Sequence, residues 1–324
     1  MHFMESFDRF AGRWMPFLVI GGLCAGIFFS EEIGKLSFLV SFLFFFMTLA
    51  GTIDASFHQL LDIAKKPMPL ILTLLFTHIV IPLLALGLGR FLFPQNQNFV
   101  TGVVLEYVVP CAIASLMWSS LANGNSILSL SIVLLDTLIA PFLLPLSLHI
   151  LLGASISIDV PSMMLNLLWM VALPAFLSML LNQLTDGKAG KRLAPLLAPY
   201  GKIALLLIVT INTTRIAPLL RHMTPILFAV AALILTLAIS GYILGWLGSR
   251  LLHQPADISA SMTLCCGMRN INAGAVIAAA YFPPEVMFPV MIGTLFQQLL
   301  ASISTHLLEW QKQKGEAAKK VSEA

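Results

Sequence analysis

The chain has 324 residues, of which 58% are hydrophobic and only 10% charged, and its mean hydropathy is +0.93. No soluble domain of this length carries so apolar a surface, so the composition excludes a soluble enzyme or binding module and makes the lipid bilayer a partner. A net charge of +3, spread over connecting segments, gives no argument for nucleic acid.

The apolar segments have lengths that suit helices crossing ~30 Å of hydrocarbon, and they lack the alternation of barrel strands. In chain order, hydropathy and the punctuation by Pro, Gly and charge predict helices over 14–30, 35–53, 68–93, 98–122 and 126–152. The second half is predicted helical over 159–183, 197–215, 223–249, 257–282 and 285–309. The expected organisation is an all-α membrane protein of about ten transmembrane helices, with five-helix units over 1–153 and 154–310 and a polar tail over 311–324. An odd number of spans per half makes the second half enter the membrane in the opposite orientation, so two inverted repeats are geometrically allowed.

Arg9 and Arg13 before the first apolar run resemble the start of a signal peptide, but no small-residue cleavage site follows Phe29, so a retained first helix is expected. A cytoplasmic N-terminus places thirteen Lys and Arg residues inside and leaves Lys35, Arg90, Arg215 and Arg221 outside, with Arg269 within a span. The positive-inside rule then puts both termini in the cytoplasm, and the expected location is a bacterial inner membrane. Cys24, Cys111, Cys265 and Cys266 all fall in apolar segments at spacings that match no zinc or disulfide framework, so buried free thiols are expected.

Two spans at matching places in the halves are interrupted by helix breakers and polar residues. One break runs from Pro110 to Ser115 and the other from Gly267 to Gly274. A broken helix leaves N–H and C=O groups unpaired, and in lipid such groups line a cavity where a ligand takes their hydrogen bonds. Helix N-termini suit a carboxylate. The substrate side is expected to comprise Ala112, Ile113 and Ser115 at the first break, then Arg269, Asn270 and Asn272 at the second. A proline or glycine kink repacked by its neighbours is the plainer alternative for either break alone.

Several segments occur in an ordered series: Pro110 with Ala114-Ser115, Leu121-Ala122-Asn123-Gly124-Asn125 with Leu128-Ser129, and Gly267-Met268-Arg269-Asn270 followed by Ala279-Ala280-Tyr281-Phe282-Pro283-Pro284. With these marks the chain resembles the bile acid:sodium symporter family from about Gly51 to His306. The resemblance implies two inverted repeats whose fourth and ninth helices are broken and cross, and uptake of organic anions, bile-acid-like or smaller carboxylates, with sodium. It also places Gln297 and Gln298 of the tenth helix toward the substrate; adjacent helix positions point about 100° apart, so at most one of the two is expected to face it.

The departures from that pattern fall on the sodium ligands. Ser115 is kept but Leu116 stands where the family has asparagine, and Ser129 is kept but Val133 stands where it has threonine. The family's Glu-x-Gly-Met-Gln reads Cys265-Cys266-Gly267-Met268-Arg269, and its third-helix glutamine falls on Thr77, before His78. Sodium wants several oxygens, so its sites look degraded, no metal is assigned, and standard two-sodium coupling is in doubt. No other cofactor is expected.

A charge inside a span marks a cavity or a partner. Arg269 is expected either to pair with Asp136 or Glu106, its charge standing where sodium stands in the family, or to grip the substrate carboxylate in a bidentate fork. His78, Glu106 and Asp136 are the groups able to exchange a proton, which leaves proton-coupled or sodium-independent transport open. Thr210, Asn212, Thr213 and Thr214 suit a vestibule or interhelical hydrogen bonds equally, and His149 reads as interfacial. Two further readings stand beside the organic-anion transporter. Pro110-Cys111, Trp118 and Leu121-Ala122-Asn123-Gly124 are similar to arsenite permeases, with Cys111 near Cys265 or Cys266 as a soft ligand; the other is a membrane sensor that binds without transporting. No catalytic constellation appears, so an enzyme is not expected.

Overall fold

A computed structural model describes residues 2–55, 67–153 and 159–322, and among these every regular element is helical. Lys65 and Lys66, two of the thirteen basic residues expected on the cytoplasmic side, lie outside the described residues, as does the expected junction between the halves at 154. Helix α1 spans His2–Phe28, α2 Ser30–Gly34 and α3 Val40–Thr52. Then come α4 over Pro67–Leu92, α5 over Gln97–Val108, α6 over Ala114–Leu121 and α7 over Ser126–Leu152. The second half holds α8 over Val160–Leu184, α9 over Lys188–Arg221 and α10 over Pro225–Leu251. It ends with α11 over Ala256–Gly267, α12 over Ile271–Tyr281 and α13 over Pro284–Ser322.

Among the described residues, six helices are long and apolar enough to cross a bilayer unaided: α4, α7, α8, α9, α10 and the Pro284–Lys312 part of α13. Their outer faces carry large apolar side chains, among them Phe91, Ile150, Phe228 and Leu299, all exposed. On a water-soluble surface that much exposed hydrocarbon would be costly, and in lipid it is matched to its solvent. This is an integral membrane protein.

Three elements run past their expected limits, the first being α1, which begins at His2 and not at 14. The seventh predicted helix begins at Lys188, not 197, and takes Pro195 and Pro199 into its length. The last helix, expected to end at 309, continues through the polar stretch to Ser322. Hydropathy marks where hydrocarbon ends, while a helix continues into water wherever its residues favour it.

Helix α4 contains a wide turn at Phe76–Val80, directly before Ile81 and Pro82, and α8 has another at Leu168–Ala172 before Leu173 and Pro174. Proline lacks an N–H and its ring crowds the carbonyl one turn back, and a π-turn relieves both problems without ending the helix. In α4 that turn carries Thr77 and His78.

The helices fall into two packed groups. Helices α1, α3 and α8 pack around α9, and α4 to α7 pack with α10 to α13, the two groups meeting where α8 lies against α7 and α9 against α12 and α13. The split helices lie at the heart of the second group: every residue of α5 from Phe99 to Val108 and every residue of α11 from Ile258 to Gly267 is buried. Glycines permit this closeness. A Cβ on Gly102 of α5 would lie 2.2 Å from the Val286 carbonyl oxygen of α13, and one on Gly245 of α10 would lie 2.5 Å from the Met262 carbonyl oxygen of α11.

Candidate functional site

Helix α5 stops at Val108 because Val109 precedes a proline and adopts an extended conformation (φ −66°, ψ 152°), as the ring of the next residue demands. Helix α11 stops at Gly267, after which Met268 is extended (φ −104°, ψ 127°). The two extended stretches meet and pair as one antiparallel β-bridge between Cys111 and Arg269. Asn270 N–H donates to the Pro110 carbonyl at 2.8 Å, and Ala112 N–H donates to the Met268 carbonyl at 3.2 Å. Exchanging the two breaks maps one of these bonds onto the other. Each break thus satisfies backbone groups that hydrocarbon cannot hydrate.

The central N–H of each break is capped by the long helix that follows it. Cys111 N–H donates to Asp136 Oδ2 of α7 at 2.7 Å, and Arg269 N–H donates to Gln297 Oε1 of α13 at 2.9 Å. The second oxygen of Asp136 is also engaged: Oδ1 lies 2.7 Å from His78 Nε2 in the wide turn of α4. Asp136 is fully buried and His78 nearly so. Asp136 therefore does not pair with Arg269, contrary to one expectation; the imidazole and a backbone N–H already occupy its carboxylate. Arg269 is 2% exposed, yet among the described residues neither Nη1 nor Nη2 has a hydrogen-bond partner. Glu106, the other expected partner, is 3% exposed and its Oε2 is likewise unpartnered.

The remaining expected residues divide between the crossing and its supports. Ala112 and Met268 contribute backbone to the bridge, and Ile113 opens the turn into α6 and rests against Gly51 of α3. Asn270 caps α12 by accepting from Ala273 N–H at 3.2 Å, and Asn272 is half-buried in the first turn of that helix. Gln298 turns away from its neighbour Gln297 and accepts from Trp118 Nε1–H at 2.9 Å. Thr77 donates back to the Leu74 carbonyl of its own helix. Thr210, Thr213 and Thr214 likewise donate to carbonyls of α9. Asn212 lines a cavity of about 280 Å³ with Asn166, Arg215 and Tyr281, and His149 is exposed in the last turn of α7.

Beside the first break lies a cluster of hydroxyls and thiols. Ser115 Oγ is 3.3 Å from Cys111 Sγ and 3.5 Å from Cys265 Sγ, and Cys111 Sγ donates to the Cys265 carbonyl at 3.1 Å. Ser129 Oγ is 2.7 Å from Ser119 Oγ, which is 3.1 Å from Ser261 Oγ. Sequence reasoning passed over Ser119, Ser261 and the tie between Asn125 and Asp257. Asn125 caps α7, and its Nδ2–H donates to Asp257 Oδ2 at 3.0 Å, fastening the α6–α7 turn to the start of α11. The positive φ of Asn123 (53°), within the Leu121–Asn125 segment, is the one local signal of that built turn.

A family model described as the sodium bile acid symporter family matches residues 41–222. The chain belongs to that family. It is 36% identical over 294 residues to the uncharacterized protein YbaS of Bacillus subtilis, covering 91% of this chain and 96% of the relative. The uncharacterized sodium-dependent transporter YocS of the same organism is 24% identical over 309 residues, covering 94% of this chain and 93% of the relative. The probable sodium/metabolite cotransporter BASS1, chloroplastic, of Arabidopsis thaliana is 27% identical over 242 residues, 74% of this chain and 59% of the relative. The chain is a membrane transporter and not an enzyme.

The donor set at the crossing fits sodium poorly. Of the hydroxyls left there, Ser115 faces two sulfurs, Ser129 is engaged with Ser119, and Thr77 is turned to its own backbone. Leu116 and Val133 offer no side-chain oxygen, and a buried guanidinium stands in the same region. A hard cation that prefers six or more oxygens, or a tight shell of fewer, gains little from such surroundings.

Proposed function

We propose that the protein is a secondary transporter of an organic anion, bile-acid-like or a smaller carboxylate, and that the anion is gripped at the crossing of the two breaks by Arg269. One observation carries this reading: the Arg269 backbone is fixed on both sides by the Cys111 bridge and Gln297, while the terminal nitrogens of its guanidinium are buried without partners. A buried unpaired guanidinium is costly, and a carboxylate is the group that satisfies its planar fork with two parallel bonds. The printed names of the relatives, a sodium-dependent transporter and a sodium/metabolite cotransporter, support transport of a metabolite.

In this reading the chain crosses a bacterial inner membrane about ten times with both termini cytoplasmic, and the two halves are inverted repeats. The equivalent bonds at the bridge and the equivalent caps from α7 and α13 support that arrangement. Alternating access arises when the group holding the crossing rocks against α1, α3, α8 and α9. The driving ion is the proton, carried by the His78–Asp136 pair, because the oxygen ligands for sodium are depleted and imidazole is the side chain that changes charge in the physiological range.

The test is uptake of labelled taurocholate and isovalerate into proteoliposomes holding the purified protein, under a sodium gradient or a proton gradient imposed separately. Uptake that follows the proton gradient and falls at least about a hundredfold in Arg269→Gln, as expected when a buried charge-assisted fork is lost, supports the reading. Unchanged uptake in a well-folded Arg269→Gln protein overturns the role of Arg269, and dependence on sodium alone overturns the proton.

A further inference from the structure

Arg269 stands just before the start of α12, and the other end of that helix borders the cavity of about 280 Å³ noted above. The cavity lies where the two packed groups meet: α3, α8 and α9 supply one wall and α12 the other. Its most buried polar residue is Asn212, 2% exposed, whose Nδ2 has no hydrogen-bond partner among the described residues. Three residues on, at the exposed mouth, stands Arg215, the one charged side chain in the wall. Helix positions three apart are neighbours on one face, so the amide and the guanidinium share a side of α9. Arg215 donates to the Ala279 carbonyl near the end of α12 and belongs to no ion pair among the described residues. At the same mouth Asn166 of α8 donates to the Tyr281 hydroxyl. The rest of the surface is apolar, with buried Leu167, Met170, Val276 and Ile277. Ala279 lies eight residues beyond Ile271, about 12 Å along the axis, so this cavity is a different place from the crossing. A buried amide N–H without an acceptor is costly, and it asks for a ligand that brings one.

We propose that this cavity is a second carboxylate site, separate from the crossing, for a short-chain acid with an apolar tail. One carboxylate oxygen accepts from Asn212 Nδ2–H and the other from the Arg215 guanidinium, while the tail lies against Leu167, Met170 and Val276. Donors meet the head of the acid, and no acidic side chain in the wall opposes it. At ~30 Å³ per water the cavity has room for about nine waters, which suits a branched five-carbon acid and excludes the steroid skeleton of a bile acid. Because both groups of helices line it, rocking one against the other draws α12 away from α9 and opens the site. In the orientation proposed above the mouth faces outside, so the acid waits here on its way to the crossing. The site itself stands on α9 and α12, while its part in transport rests on the reading of Arg269 as the grip at the crossing.

Equilibrium dialysis of labelled isovalerate against the purified protein in detergent, with acetate, phosphate and taurocholate as competitors, tests this. Arg269→Gln, which removes the grip at the crossing, is expected to keep one isovalerate per chain. Adding Arg215→Gln or Asn212→Leu is expected to weaken that binding at least about tenfold. Acetate, which lacks the tail, is expected to compete at least about tenfold less well than isovalerate, and taurocholate not to compete at this site. Ser41→Trp, at the exposed rim, fills the cavity while leaving both donors in place, and is expected to abolish the same binding in a protein that keeps the tie from Arg215 to Ala279. Binding that survives all three variants leaves the cavity to water and overturns the proposal. Competition by phosphate as strong as by isovalerate makes the site a general anion site and also overturns it. A wild type whose single isovalerate is lost in Arg269→Gln overturns the proposal and leaves the transporter reading standing. A single isovalerate lost in Arg215→Gln and Ser41→Trp but kept in Arg269→Gln upholds the proposal and removes Arg269 from its role at the crossing.

Discussion

Asp136 holds the first break through Cys111: the Cys111 backbone N–H donates to Asp136 Oδ2 at 2.7 Å, while Oδ1 of the same carboxylate lies 2.7 Å from His78 Nε2. One buried side chain therefore ties the wide turn of α4 to the bridge between the breaks. Asp136→Ala leaves a buried N–H and a buried imidazole without their acceptor. The expected cost is about 3 kcal/mol, a lowering of the thermal midpoint of the detergent-solubilised protein by roughly 5 °C or more. Asp136→Asn keeps one acceptor and is expected to lose less. A midpoint in Asp136→Ala equal to that of the wild type would contradict this account.

Gln297 and Gln298 are neighbours on α13 with unequal duties. Gln297 caps the Arg269 N–H at the centre of the second break, whereas Gln298 accepts from the Trp118 indole on α6. Gln297→Ala is expected to reduce uptake by at least about tenfold, since an uncapped N–H there costs ~1–3 kcal/mol and loosens the segment carrying Arg269. Gln298→Ala gives up one ordinary hydrogen bond near the surface of the group, worth about 1 kcal/mol, and is expected to stay within about fivefold of wild type. Initial rates of isovalerate uptake by the two variants, at matched protein, check the order; a larger loss in Gln298→Ala would reverse the assignment.

What local chemistry dictates was legible in the sequence, and what depends on distant partners was not. Pro110 and Gly267 end their helices through their own backbone preferences, so both breaks were readable, and α7 covers Ser126–Leu152 as its hydropathy requires. The start of α9 at Lys188 was not readable, because Pro195 and Pro199 signal termination to any local rule, yet both lie inside the helix. The partner of Asp136 was left open for a related reason: His78 stands 58 residues away, and it is the wide turn before Pro82 that carries its ring toward α7. Periodicity carries no record of such a turn. Asn125 and Asp257, 132 residues apart, show the same limit.

The glycines of α10 give a prediction about packing alone. A methyl group added at Gly245 would meet the Met262 carbonyl oxygen at 2.5 Å and Cys266 Cβ at 2.8 Å, and backbone is a neighbour that cannot step aside cheaply. Gly245→Ala is expected to cost about 1–3 kcal/mol and to displace α11 from α10. Gly87→Ala in α4 meets nothing within 4 Å and is expected to gain up to about 1 kcal/mol from helix propensity. Thermal midpoints in detergent should move in opposite directions, and a neutral Gly245→Ala would show that the α10–α11 contact is looser than the geometry states.

His78 separates coupling from translocation. Its Nε2 faces Asp136, and among the described residues its Nδ1 is buried with no partner. The other ionisable groups on elements packed against this turn are Glu106 and Tyr107 on α5, Tyr242 and Arg250 on α10, and Cys111 at the break; Cys265 of α11 and Arg269 lie beyond them. Adding a proton to the ring converts a carboxylate beside a neutral imidazole into an ion pair, which changes the net charge behind the Cys111 N–H by one unit. His78→Gln keeps a donor for Asp136 and removes that change. Isovalerate accumulation driven by a proton gradient is expected to be lost in this variant, while exchange of labelled for unlabelled isovalerate at equal concentrations, which moves no net proton, is expected to continue within about threefold of wild type. Full accumulation in His78→Gln would place the proton on another group, and loss of exchange as well would mean that the ring serves the fold of the crossing and not its energetics.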